Sequence, residues 1–189
     1  IRSCLVGSEM CIRDRVCSMT DLQNQLMETI RDVPDFPKPG ILFKDITPVL
    51  SDATLMAGIV QAFADQFRDA NVTAVVGMES RGFIFGAPLA IELGCAFVPA
   101  RKPGKLPYDH IGVDYALEYG TARLEMHTDA VGPNDRVLVV DDLLATGGTA
   151  AATNTLIAQF GATIVANCFV IELDFLNGRG ALSGVPVSS

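Results

Sequence analysis

The chain has 189 residues, 49% of them hydrophobic and 19% charged, with a net charge of −8 at neutral pH. Length and apolar content suit one domain with a full core and exclude a disordered chain. The acid excess excludes a general nucleic-acid or membrane-surface binder, which needs a basic face, and no apolar run reaches the roughly 18–20 residues of a bilayer span.

The stretch Ile1 to Cys17 (IRSCLVGSEMCIRDRVC) has neither helical nor strand periodicity. Its arginines follow the apolar segment instead of preceding it, the wrong order for a secretory signal. Residues 1–19 are therefore expected to be a non-native or disordered leader, and residues 20–189 a single domain. Cys4, Cys11 and Cys17 crowd this leader, and no cysteine pair has the two-residue spacing of a zinc knuckle or redox motif. Cys95 and Cys168 sit in apolar runs and read as small core hydrophobes. A reducing, cytoplasmic setting follows as the expectation.

Thr20-Asp21-Leu22-Gln23 fits a capping box, and Leu22, Leu26 and Ile30 repeat every fourth residue, predicting a helix. Pro34, Pro37, Pro39 and Gly40 end it in a stiff loop, DFPKPGILFKD. A second helix is predicted from about Ala53 to Ala70, with Leu55, Ile59, Phe63 and Phe67 on one face. Val72 to Met78 reads as a buried strand that breaks at Glu79-Ser80-Arg81-Gly82. A helix follows from about Phe83 to Leu93, with Gly94 as its C-cap. Cys95 to Ala100 is another short strand. Arg101 to Gly120, polar and punctuated by Gly and Pro, carries Tyr108, Tyr115 and Tyr119 and reads as an irregular functional loop or lid. Arg136 to Val140 is a β-branched strand ending in Asp141-Asp142. A helix from about Thr149 to Phe160, closed by Gly161, and a strand from Thr163 to Ile171 complete the pattern. Alternating helices and strands, the strands apolar on both faces, predict an α/β fold with a parallel sheet covered on both sides.

The most informative run is Val137 to Thr149, VLVVDDLLATGGT. A buried strand delivers two carboxylates toward its C-terminal end, where open α/β sheets place ligands. Ala145-Thr146-Gly147-Gly148-Thr149 then opens a helix whose free amides and dipole make an anion site. It is neither a Walker A loop nor a dinucleotide turn. Adjacent strand residues point to opposite faces, so Asp141 and Asp142 are not expected to serve a ligand identically. This run resembles the phosphoribosyl-pyrophosphate motif of type I phosphoribosyltransferases, in the form carried by members that use adenine, and the resemblance extends from about Asp32 to Val187. It implies the type I fold: a central parallel sheet flanked by helices, with a small hood and a flexible lid loop. It also implies that Ala145 to Thr149 hold a 5′-phosphate while Asp141 and Asp142 face the ribose hydroxyls. Members usually continue through a short final strand after the position of Val187.

Arg101-Lys102-Pro103-Gly104-Lys105 places three cations in five residues of an acidic chain. Alone such a cluster is ordinary solvated charge; beside a strand end, the same groups can clamp a polyphosphate. The resemblance assigns Arg101, Lys102 and Lys105, with Ser80 and Arg81, to pyrophosphate, some from a neighbouring subunit, and so implies a homodimer. It also assigns Leu42, Phe43 and Lys44 to adenine: Phe43 stacks, and the backbone of Leu42 and Lys44 reads the base edge. By residue type alone, a plain core role for Phe43 stands as the lesser alternative. Glu118, in Ala116-Leu117-Glu118-Tyr119-Gly120, matches the residue that takes the N9 proton or steadies the base; as a lone glutamate it is surface charge.

Together these imply transfer of the phosphoribosyl group from phosphoribosyl pyrophosphate to adenine, giving AMP and pyrophosphate in purine salvage. Mg²⁺ is expected on the leaving pyrophosphate, with no direct protein ligand. Two alternatives stand beside this reading. One is a related enzyme for xanthine or hypoxanthine, and the other is a regulator that senses phosphoribosyl pyrophosphate and binds DNA. The latter needs a basic helical domain that the chain does not offer.

Overall fold

The structure is a computed structural model that describes residues 19–116 and 120–189. The backbone forms two compact units, one through Gly58 and one from Ile59 to Ser189. Residues 1–18 of the expected leader and Glu118 lie outside the described residues, while Met19 already belongs to the first helix.

In the first unit, α1 (Met19–Thr29) carries the predicted Leu22 and Leu26 stripe, both half-buried. Leu22 packs on the helical Gly58, where an added Cβ would meet its Cδ1 at 3.0 Å. The segment expected to be only a stiff loop instead contains a hairpin. In it, β1 (Arg31–Pro34) pairs antiparallel with β2 (Leu42–Asp45), Asp32 opposite Lys44 and Val33 opposite Phe43. The prolines sit at the end of β1 and in the turn, where no ladder amide is needed. Asp35 closes the turn by accepting the Gly40 amide at 2.7 Å. A short α2 (Thr47–Leu50) follows, its Thr47 amide donating to Asp45 at 2.9 Å. Asp52 caps α3 (Ala53–Phe67) by accepting from Thr54 and Leu55.

The second unit is built on a five-stranded, wholly parallel sheet. Its strands are β3 (Ala74–Met78), β4 (Ala96–Ala100), β7 (Arg136–Leu144), β8 (Thr163–Glu172) and β9 (Val187–Ser188), in the spatial order β4-β3-β7-β8-β9. At the far edge, Val187 and Ser188 of β9 lie beside Asn167 and Cys168 of β8. Every residue of β3 is buried, as its unbroken apolar run predicts for a sheet covered on both faces.

Side-chain alternation separates the two covers. Val76, Met78, Val137 and Val139 pack with α5 (Gly148–Ala158) through Ala150, Leu156 and Ile157. Val75 and Gly77 face α4 (Gly82–Leu93), where Gly86 lies so close that a Cβ would sit 3.6 Å from the Gly77 Cα. Gly94 caps α4 in the left-handed conformation, φ 66°, as its position suggests.

Two expectations need correction here. Asp141 and Asp142 do not end their strand: β7 runs on through Leu143 and Leu144, which pair with Ile171 and Glu172 of β8. Nor is residue range 101–120 wholly irregular. Residues His110–Ala116 form β5, antiparallel to β6 (Thr121–His127). Ile111, Val113 and Tyr115 alternate along β5 and pack on the core, a two-residue period interleaved with Gly112 and Asp114.

Candidate active site

Strand order reverses between β3 and β7: β3 leads outward to β4, whereas β7 leads the other way to β8 and β9. Ligands of open α/β sheets bind outside the carboxyl ends of the strands at such a switch point. A cleft of about 220 Å³ lies there. Met78 and Arg81 contribute from the β3 side, Asp141 to Leu144 from β7, Ala145 to Ala150 from the turn and α5, and Phe169 from β8.

The turn is shaped for close approach. Gly147 holds φ 81° as the N-cap of α5, and no side chain caps the helix. The first-turn amides of α5 have no intrahelical acceptor by construction, so the cleft presents donors and the positive end of the helix dipole. Thr149 adds a hydroxyl, 3.5 Å from the Tyr115 hydroxyl on β5. The hairpin therefore reaches the cradle on one side, two residues before the undescribed segment 117–119.

Behind the cradle, the acidic pair is inequivalent, as strand geometry requires. Asp142 is buried, its side chain 6% exposed, and its Oδ2 lies 2.6 Å from Arg81 Nε. Asp141 lines the cleft and accepts the Asp142 amide at 2.9 Å. Burial pushes the Asp141 carboxyl upward, and the neighbouring Asp142 charge pushes it further, to about 8. Gly82 allows the approach of α4: a Cβ there would fall against the Val140 carbonyl, and 3.3 Å from Asp141 Cα.

The cationic segment stands one step away. Arg101, Lys102 and Lys105 do not line the cleft. Arg101 and Lys102 are held by Glu79, two residues before Arg81; the Glu79 carboxylate accepts the Lys102 amide at 2.9 Å and Arg101 Nε at 3.2 Å. Burial raises the Glu79 carboxyl, but the Lys102 amide and Arg101 guanidinium outweigh it and hold the group below its ordinary value. The Glu79–Ser80 peptide is cis, and Ser80 is exposed. Arg101 also spans the segment to the Lys105 carbonyl at 3.3 Å and lies 5.9 Å over the Phe83 ring.

Leu42, Phe43 and Lys44 occupy β2 in the first unit. Phe43 is half-buried, its ring edge-to-face with Phe36 at 5.2 Å, and Leu42 is 50% exposed. Lys44 Nζ is 2.5 Å from Asp32, so its ammonium is engaged within the hairpin.

One further group was not anticipated from sequence. Glu125, 5% exposed on β6, accepts the Gly104 amide at 3.3 Å and Arg123 Nε at 3.1 Å, with His110 Nε2 at 3.5 Å. Its backbone exchanges two hydrogen bonds with Arg101, at 2.7 and 2.8 Å, joining the hairpin to the end of β4. Glu125 is the fifth of the seven residues of β6, where alternation with Ala122, Leu124 and Met126 places it among the polar positions, so the sequence carried no signal of its burial.

Residues 50–178 match the phosphoribosyl transferase domain family. The chain is 58% identical over 166 residues to an adenine phosphoribosyltransferase of Methylococcus capsulatus, covering 88% of this chain and 97% of that one. Among solved structures it resembles the adenine phosphoribosyltransferase of Rhodothermus marinus, with TM-score 0.84 and 50% identity, covering 89% of this chain and 97% of that one. It also resembles the Saccharomyces cerevisiae enzyme, solved with adenine and an imino-altritol bisphosphate, with TM-score 0.85 and 39% identity over 89% and 98% of the two chains.

Proposed function

The chain belongs to the adenine phosphoribosyltransferase family, and from that premise we propose how its residues carry out the transfer. It is a pentosyltransferase of purine salvage: the 5-phosphoribosyl group passes from phosphoribosyl pyrophosphate to adenine, and AMP and pyrophosphate leave. The observation that carries the site assignment is the cleft at the β3/β7 switch point, where an amide-lined turn faces a carboxylate pair.

In this reading the amides of Ala145 to Thr149 receive the 5′-phosphate, and the glycines let it touch the backbone. Asp141 and Asp142 accept from the ribose hydroxyls and stand near the centre that gains positive charge as the C1′–O bond lengthens. Arg81 and Ser80, with Arg101, Lys102 and Lys105, meet the pyrophosphate as its charge grows. Phe43 stacks on adenine while the backbone of Leu42 and Lys44 reads the N6 donor and N1 acceptor; engagement of the Lys44 ammonium by Asp32 supports a backbone role. A guanine or hypoxanthine carbonyl would leave those groups mismatched. Adenine N9 attacks C1′, pyrophosphate departs, and the N9 proton passes to Glu118. Closure over residues 108–119 excludes water that would hydrolyse the donor.

The donor set fits a Mg²⁺ carried by the substrate. Asp141 and Asp142 are the two carboxylates lining the cleft and Asp142 is engaged by Arg81, too few to chelate the ion, so pyrophosphate and water would hold it with no direct protein ligand. When bound, the ion neutralises the departing pyrophosphate. A homodimer is part of the proposal, with cations of segment 101–105 reaching a neighbouring subunit's site. So is a cytoplasmic location: among the described residues no helix is long and apolar enough to cross a membrane, and Cys95 and Cys168 are free thiols.

The test is a spectrophotometric assay of adenine, hypoxanthine, guanine and xanthine, each with phosphoribosyl pyrophosphate and Mg²⁺. Nucleotide formation with adenine alone is expected. Turnover of an oxopurine at a comparable rate overturns the base assignment, and wild-type activity in a D141N/D142N protein overturns the site.

A further inference from the structure

We propose that the short turn Gly178–Leu182 positions the phosphate cradle, with Gly178 as its seat and Arg179 as its anchor. The inference rests on the cradle reading above and adds to it residues that do not touch the cleft themselves.

The cradle backbone and this turn approach each other closely at two glycines. A Cβ built on Gly147 would lie 2.5 Å from the Gly178 carbonyl oxygen and 2.9 Å from the Ala181 Cβ. In the reverse direction, a Cβ on Gly178 would press on the Ala145 carbonyl oxygen and lie 2.9 Å from Leu144 Cδ1. At each point a glycine lets its main chain approach a facing carbonyl more closely than a Cβ would allow. Leu182, 3% exposed, roots the turn in the core.

Arg179 holds the turn to the sheet. Its Nε and Nη2 donate to the Glu172 carboxylate at 2.7 and 2.6 Å, Nη1 to the Val187 carbonyl at 3.0 Å, and Nη2 also to Ser189 Oγ at 2.9 Å. The Ser189 hydroxyl donates in turn to Glu172 at 2.7 Å. These bonds hold the Glu172 carboxyl below its usual value. Glu172 ends β8 directly opposite Leu144, the last residue of β7 before the cradle, and the Leu173 amide donates to the Leu144 carbonyl at 2.9 Å. One bidentate guanidinium therefore links β8, β9 and the turn behind the cradle.

Main-chain donors have no rotamers to adjust, so their aim is set by whatever backs the loop. A site of this kind must be held to about half an ångström. The turn is the backing, and its loss should weaken phosphate binding before it affects the base.

The experiment compares wild-type protein with Gly178→Ala, Arg179→Met and Arg179→Lys. Ribose 5-phosphate affinity is measured by calorimetry, and KM for phosphoribosyl pyrophosphate, KM for adenine and kcat by assay. We expect ribose 5-phosphate affinity to fall and the donor KM to rise roughly tenfold in Gly178→Ala, since displacements near 1 Å cost up to about a hundredfold. A smaller change is expected in Arg179→Met, partly rescued in Arg179→Lys, with the adenine KM unmoved. General structural damage would instead lower kcat through the active fraction and leave both KM values alone. Donor parameters unchanged in Arg179→Met and, where it folds, in Gly178→Ala overturn the inference while the site reading stands. A wild-type protein that takes up no ribose 5-phosphate overturns both.

Discussion

Arg81, at the start of α4, and Asp142, inside β7, form an ion pair within the cleft lining, with Nε 2.6 Å from Oδ2. Asp142 is buried and Arg81 half-exposed, so the pair is asymmetric: removing the arginine strands a buried carboxylate, whereas removing both groups does not. Arg81→Met is expected to destabilise the protein by about 1–2 kcal/mol, a value reduced for the solvent already around the guanidinium. R81M/D142N should recover part of that loss. A double-mutant cycle by urea unfolding measures the coupling, and strict additivity would show that the pair contributes nothing.

The Asp141 carboxyl makes stability depend on pH with an unusual sign. Its folded value is raised to about 8, by burial first and by Asp142 second, while the unfolded chain has an ordinary carboxylate near 4. Between those values the folded state binds the extra proton, so stability declines as pH rises through that window and levels off above it. Unfolding midpoints at pH 5, 7 and 9 should fall in that order for the wild type. In Asp141→Asn this contribution to the slope should vanish, and an identical slope in the variant would refute the assignment.

How much of this was readable beforehand differs by element. The run VLVVDDLLATGG announces a buried strand, an acid pair and a glycine turn opening a helix because each is a local pattern with its own chemistry. The β1–β2 hairpin was hidden by its prolines, which suit an exposed edge as well as a loop. In β5 the alternation of Ile111, Val113 and Tyr115 was present, but surrounding glycine and charge gave it the look of a lid. Glu125 and Gly178 could not be assigned from sequence. Their partners Gly104, Ala145 and Gly147 are distant along the chain, and only the folded register brings them together.

Gly82 is a second place where main chains nearly touch. Its Cβ would press on the Val140 carbonyl, which belongs to a rigid central strand and cannot move aside. Gly82→Ala therefore forces α4 away from β7, an overpacking cost of about 1–3 kcal/mol. Because Arg81 immediately precedes it, the ion pair to Asp142 should loosen as well. A lower thermal midpoint together with a raised donor KM is expected; a midpoint matching the wild type would mean that the helix end accommodates a methyl group without moving.

Glu125 ties the cationic segment to the hairpin. Its carboxylate accepts from the Gly104 amide and from Arg123, and faces His110, while its main chain pairs with Arg101. Glutamine keeps the size but turns one acceptor into a donor pointed at other donors, so E125Q leaves buried groups unpaired at a cost of about 1–3 kcal/mol. The loss should be local, because the segment 101–110 has few other buried contacts, and local opening follows the weakest ties. Limited proteolysis is then expected to cut E125Q within residues 102–109 well before the wild type, and faster exchange of the Gly104 amide should accompany it. Equal protection in both proteins would show that the Arg101 backbone bridge suffices to order the cations, leaving the carboxylate with no part in holding the segment.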